Sequence, residues 1–354
     1  MNRSRLFRMS ITDAFMWVVG AAILIIIIIG SFLTLKKGIF SSNQWFDLAV
    51  FGLAQGSVYA LIALGYTLVY GILRMINFAH SEIFMGGAFL GYFAATSLNR
   101  SKVLDTNPIF GIIVIFLVAI ITSVLLAILL ERIAYRPLRG APRLVPLITA
   151  IGASFFLQYT FRGLFGTQNR AYPEFAFLKG VWVITGKFAI QKIQVAVILA
   201  AALMMLLLYL FVQRTRTGKA MRAVSEDKAV AALMGIDVDA IIVRTFVLGA
   251  ALAGAAGVMY CFMFRLVTFY MGFIPGIKAF TAAVLGGIGN IPGAMLGGLF
   301  LGIFESIGPT LFLNGLGVPA PYQLKDVIAF TMLVLVLIFR PTGILGERIG
   351  RAKA

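Results

Sequence analysis

Side chains able to do acid, base or nucleophilic chemistry are scarce in this chain, which holds one His, one Cys and 13 Asp and Glu among 354 residues. The densest polar group in an apolar setting is Arg74-Met-Ile-Asn77-Phe-Ala-His80-Ser81-Glu82, which runs directly into IFMGGAFLGYFAAT. Polar side chains inside a bilayer need partners, and they often line a cavity or a break in a helix. Asn77, His80 and Glu82 therefore read either as structural hydrogen-bonding residues or as residues that line or gate a pathway. Glu305, a lone acid in an apolar stretch, reads as a structural pair or as a proton relay.

Several reaction classes are excluded. His80 is the only histidine, so no histidine-based metal cluster can form. Gly152-Ala-Ser154-Phe carries a superficial likeness to the nucleophile site of intramembrane serine proteases, but such a serine needs an adjacent base, and the histidine lies far earlier in the chain. No GxxxxGK[ST] occurs: Gly186-Lys187 precedes Phe, Gly218-Lys219 precedes Ala, and neither pair has the earlier glycine. The chain thus cannot hold ATP through a P-loop, and no cofactor or metal is expected. Nor is there an array of buried acids of the kind that couples a carrier to protons or sodium. The lone Cys261 excludes a disulfide framework and reads as a packing residue.

Composition supplies the setting. With 61% hydrophobic and 12% charged residues, the chain is far more apolar than a soluble domain. The net charge of +17 is spread among loops between apolar runs, so it reads as topology signals and anionic-lipid contacts, with no nucleic acid implied. The expectation is an all-α polytopic membrane protein of about eight transmembrane helices plus a re-entrant or broken helix pair. The first run, Ala14 to Leu35, follows Arg3, Arg5 and Arg8 and ends in Leu-Lys-Lys, with no small-residue cleavage site, so it reads as a retained span and not a signal peptide. The second, about Phe46 to Leu73, carries Gly52, Gly56 and Gly65 with Ala54, Ser57 and Ala60, a surface for close helix packing. Gly163 to Gln191 is a mixed polar and aromatic connection with a turn at Gly186, suited to a small cap or hairpin. Basic loops around Arg74, Arg136 and Arg222, and a tail with Arg340, Arg348, Arg351 and Lys353, place both termini inside. Parity then requires the stretch after Phe264 to enter and leave from one side, and Gly289-Asn-Ile-Pro292-Gly293 supplies the turning point. Gly289, Gly293 and Gly297 recur one helical turn apart, as do Gly298 and Gly302.

The hydrophilic run Arg214 to Asp239, RTRTGKAMRAVSEDKAVAALMGIDVD, must face water. Ser225 as N-cap, Glu226 and Asp227 in the first turn and Gly235 at the end predict a helix of about nine residues with a small apolar face. From composition alone this is a positive-inside loop with a helical turn. The order Thr217, Gly218, Arg222, Ala223, Asp227, Ala231, Gly235, Ile236, however, resembles the long cytoplasmic loop of bacterial ABC-importer permeases for branched-chain amino acids. GYTLVYGILRMINFAHSEIFMGGAF and GGIGNIPGAMLGGLFLG are similar to the same family, and more specifically to its LivH type.

That resemblance covers the chain from about Trp45 onward. It implies a permease subunit that pairs with a homologous second permease, two cytoplasmic ATPase subunits and an external solute-binding protein, in a bacterial inner membrane. Thr217, Gly218, Arg222, Ala223, Asp227 and Gly235 would contact the ATPase. The substrate would be leucine, isoleucine or valine, passing by alternating access, with the small residues of the second span and the broken segment as lining. Relatives for urea, short amides or other amino acids remain alternatives, as does a self-contained secondary carrier. The implied organisation is an N-terminal extension with one span (1–44), a permease domain (45–340) with its coupling loop at 214–239, and a basic tail (341–354).

Overall fold

The computed structural model describes residues 11–142, 144–184, 188–340 and 342–346. The N-terminal arginines 3, 5 and 8, Arg143, the turn at Gly186 and the tail beyond Gly346 lie outside them. The described chain is a helical bundle: α1 (Ile11–Lys37), α2 (Ser42–Leu73), α3 (His80–Arg100), a short α4 (Val103–Thr106), α5 (Pro108–Leu130), α6 (Leu144–Phe165), α7 (Lys192–Arg214), α8 (Arg216–Glu226), α9 (Lys228–Leu233), α10 (Val238–Phe264), α11 (Phe273–Gly286), α12 (Ile291–Gly308) and α13 (Lys325–Phe339). Two small antiparallel pairs complete it: β1 (Arg170–Ala171) with β4 (Leu266–Val267), and the hairpin β2 (Val181–Ile184) with β3 (Phe188–Gln191).

The bundle is built around α2. Ser41 caps it in a reciprocal box with Gln44, and α2 is buried almost continuously from Gly52 to Val69. The small residues expected to permit close packing do so with two different neighbours. Gly52 and Gly56 lie against the backbone of α12 at Gly302 and Ile303, and Ala60 lies against Gly298. Gly65 faces Gly249 of α10. On α12 the faces divide: Gly298 and Gly302 meet α2, whereas Gly293 and Gly297 meet Gly286 and Ala282 of α11. A side chain at the α12-facing glycines of α2 or at the α12 glycines would strike backbone, which cannot rotate away, and one at Gly65 would strike the His80 ring. The glycine faces are thus filled within the chain.

Eight helices among the described residues are long and apolar enough to cross a membrane. Their membership differs from expectation. Ile291–Leu313, taken as half of a re-entrant pair, qualifies, while α3 does not. The reason lies in its ends, since His80 to Glu82 and Asn99 to Arg100 dilute its apolar middle. The break between α11 and α12 is present as a turn at 287–290, with Gly287 and Gly289 at φ +106° and +98°. Pro292 and Gly293 stand inside the first turn of α12, where a missing amide costs nothing, and Asn290 caps that turn by accepting from Gly293 N at 3.0 Å. This turn is not mid-bundle. It meets residues 342–346, with Ile344 N donating to Leu285 O, Leu345 N to Gly286 O and Asn290 Nδ2 to Leu345 O (2.8–3.0 Å). Protein, not lipid, therefore satisfies its backbone.

α1 rests on the edge of the bundle. Gly30 abuts Phe312, Trp17 stacks edge-on to Phe339 at 5.0 Å, and Lys37 Nζ donates to Gly315 O at 3.3 Å.

Candidate functional site

The 214–239 loop folds differently from its prediction. Thr215 opens α8 by accepting from Gly218 N at 3.0 Å. Ser225 remains in the last turn of α8, its hydroxyl donating to Arg222 O at 2.7 Å. Asp227, not Ser225, is the second N-cap, and its carboxylate accepts from Ala229 N and Val230 N at 2.8 and 3.0 Å. An ionised carboxylate is the better acceptor for the exposed amides at the positive end of a helix, which decides between the two candidates. Gly235 is left-handed, φ +80°, as the C-terminal position of α9 requires.

α8 turns Gly218, Met221 and Val224 inward. Gly218 lies on the Phe211 and Val212 carbonyls at the end of α7, so its bareness serves the fold. Arg222 is exposed and bonds Gln213 Oε1 at 2.9 Å, and Thr217 and Ala223 are half-buried. In α9 and its exit Ala231 is buried, whereas Val230, Leu233 and Met234 are 54%, 88% and 78% exposed. Charged contacts tie the ends of this loop to the preceding segments. Arg139 binds both Glu131 and Asp239, Arg136 reaches Asp239 at 3.2 Å, and Arg74 donates to Ser225 O at 3.0 Å. Partial burial, then the nearby Arg139 and Arg74, hold the Lys228 ammonium below the ordinary lysine range. A cleft of about 880 Å³ opens between α8 and the 287–290 turn, lined among others by Tyr70, Arg74, Arg222, Glu226, Asn290 and Thr342.

The four intramembrane candidates do not form one site. Asn77 accepts from the Tyr135 hydroxyl, in the π-helical turn Glu131–Tyr135 that follows α5. His80 packs against Gly65 and edge-on to Tyr66 at 5.0 Å, about 12 Å along α2 from its end, so the segment after Arg74 folds back into the bundle. Glu82 is fully buried, and its Oε1 accepts from Gln158 Nε2 at 2.8 Å, Ser154 Oγ at 3.1 Å and Ser81 Oγ at 3.2 Å. Ser154 is thereby a donor to the Glu82 carboxyl group. Glu305 belongs elsewhere, receiving Lys278 Nζ at 2.6 Å and Gln55 Nε2 at 2.8 Å. Lys278 also reaches Asp326 at 2.6 Å.

Sequence reasoning missed Lys278, Gln55, Gln158 and Tyr135. A lone lysine in FIPGIKAFTAAVLG was the available signal for the first. Ser154 and Gln158, four apart in an apolar helix and so on one face, were the signal for the Glu82 partners.

A model of the family described as branched-chain amino acid transport system / permease component matches residues 48–337. The chain belongs to this family. Among its relatives, the high-affinity branched-chain amino acid transport system permease protein BraD of Pseudomonas aeruginosa is 46% identical over 299 residues, 84% of this chain and 94% of that protein. The corresponding permease protein LivH of Escherichia coli is 42% identical over 300 residues, with the same shares. A probable branched-chain amino acid transport permease protein LivM of Methanocaldococcus jannaschii is 26% identical over 323 residues, 84% of this chain and 85% of that protein. The family match begins within α2, so α1 lies outside the matched residues.

Proposed function

We propose that this multi-pass membrane protein is the permease subunit of an ATP-driven importer for leucine, isoleucine and valine, forming half of the translocation pathway. The observation that carries the reading is the match to branched-chain amino-acid permeases along residues 48–337, which takes in nearly every membrane helix beyond α1. A permease subunit is not itself an enzyme. ATP is hydrolysed on two separate ATPase subunits that seat on α8 and α9, where Val230, Leu233 and Met234 are exposed and Arg222 stands exposed on α8. Thr217, Arg222, Ala223 and Asp227 belong to that contact, with Gly218 and Gly235 shaping the helices that present it. The likeness to both LivH and LivM proteins supports a homologous second permease as partner. An external solute-binding protein delivers substrate at the opposite end, near the β2–β3 hairpin. The protein lies in the bacterial inner membrane with both termini cytoplasmic, residues 1–44 as an added span, 45–340 as the permease and 341–354 as a basic tail. Asn77, His80, Glu82 and Glu305 sit along the route or hold its walls.

The test is leucine uptake in cells lacking this chain. Restoration by the plasmid-borne chain only when ATPase and binding-protein genes are intact supports the reading. Restoration without them would replace it with a self-contained carrier, and restored uptake of urea or an amide but not leucine would move the substrate class.

A further inference from the structure

The Lys278 cluster has a charge and hydrogen-bond balance that close packing does not explain. Asp326 stands in the first turn of α13 with 42% of its side chain exposed, whereas Lys278 and Glu305 are 3% and 1% exposed. Asp326, Lys278, Glu305 and Gln55 form a continuous polar line from that helix end into the core, joined by contacts of 2.6–2.8 Å. Gln55 lies about 20 Å along α2 from its first residue, inside the apolar bundle. Tyr59 adds its hydroxyl beside Gln55 Nε2 and Glu305 Oε1, at 2.6 and 3.4 Å. The line carries two carboxylates and one ammonium. Its inner end also holds two acceptors, Gln55 Oε1 and Glu305 Oε2, that are fully buried and have no hydrogen-bond partner among the described residues. A buried acceptor left unpaired is costly, and one more cationic donor group would satisfy both the charge and the two oxygens.

We infer that Lys278, Glu305 and Gln55 form a binding site for the charged backbone of the transported amino acid. The substrate ammonium, with three N–H donors, takes Glu305 Oε2 and Gln55 Oε1. The substrate carboxylate takes Lys278 in exchange for Asp326, which the half-exposed position of Asp326 on α13 permits. This assignment rests on the reading of the chain as an amino-acid importer subunit and names the chemistry of its substrate contact.

A buried ion pair retained for structure alone makes a different prediction, because replacing both partners by apolar residues of similar volume is often neutral or stabilising. The experiment uses the complete importer reconstituted in proteoliposomes with its ATPases, second permease and binding protein, and compares the parent with Lys278→Met/Glu305→Met. Recovery of the assembly, with labelled leucine uptake reduced tenfold or more, is the expected result. Uptake within twofold of the parent overturns the site. Gln55→Leu leaves the ion pair intact and serves if the double variant does not assemble: a fivefold loss of uptake at parental assembly supports the site, and unchanged uptake overturns it. Absence of leucine uptake by the parent itself would instead strike at the importer reading, so the two failures are distinct.

Discussion

Replacing Gly302 by Ala should lower thermal stability, against the ordinary preference of helices for alanine. A methyl group at Gly302 meets Gly56 N and Cα and Gly52 O, all backbone atoms of α2. None of them can move without parting α2 from α12, the most intimate helix pair in the bundle. Overpacking of this kind costs up to about 3 kcal/mol, and the propensity gain of alanine over glycine returns about 1 kcal/mol, leaving a net loss of about 2 kcal/mol. At about 2.1 cal/mol/K of unfolding entropy per residue, 354 residues give about 1.3 °C per kcal/mol, so the midpoint should fall by about 3 °C. The control is Gly71→Ala on the same α2, where an added Cβ meets nothing within 4 Å. That variant has only the propensity gain and should hold or slightly raise the midpoint. The assay is the loss of monodisperse protein on heating in one detergent, read by fluorescent size-exclusion. A Gly302→Ala midpoint at or above that of Gly71→Ala would refute the packing argument.

Other outcomes follow from single contacts. Leu233→Asp with Met234→Asp should leave expression and membrane insertion unchanged, because both side chains are largely exposed, while abolishing ATPase recovery in a pull-down; undiminished recovery would remove α9 from the interface. Arg222→Glu should uncouple uptake from hydrolysis without loss of protein, measured as leucine transported per ATP. Gly218→Trp is expected to reduce the amount of folded protein, since Gly218 backs onto the α7 carbonyls, and parental levels of that variant would contradict the α7–α8 packing. Gln158→Leu removes the shortest donor to the buried Glu82, and leaving a buried carboxylate short of a donor should cost about 1–3 kcal/mol, read as a lower midpoint in the same heating assay.

Much of this architecture is legible in residue spacing. Glycines one turn apart on α2 and α12 announce close packing, and Gly-Asn-Ile-Pro-Gly announces a turn. What spacing does not show is which bare face meets which helix. α12 has two such faces, and only the three-dimensional arrangement assigns Gly298 and Gly302 to α2 and Gly293 and Gly297 to α11. The N-cap of α9 went to Asp227 because Thr215 had already opened a helix upstream that absorbs Ser225, a competition between neighbouring caps that local preference alone does not settle. Among the candidate pathway residues, Glu82 and Glu305 were visible as isolated acids. Their partners were not, because Lys278 lies 27 positions from Glu305 and Gln158 lies 76 from Glu82, distances that only the packed bundle closes.

The most direct test of the central claim is purification of the tagged chain from native membranes in mild detergent, with its companions identified by mass spectrometry and ATPase activity followed on adding leucine-loaded binding protein. Co-recovery of an ATPase and a second permease, with hydrolysis stimulated by the loaded binding protein, is the result expected of an importer subunit. Recovery of the chain alone, together with leucine flux driven by an ion gradient in proteoliposomes, would contradict it.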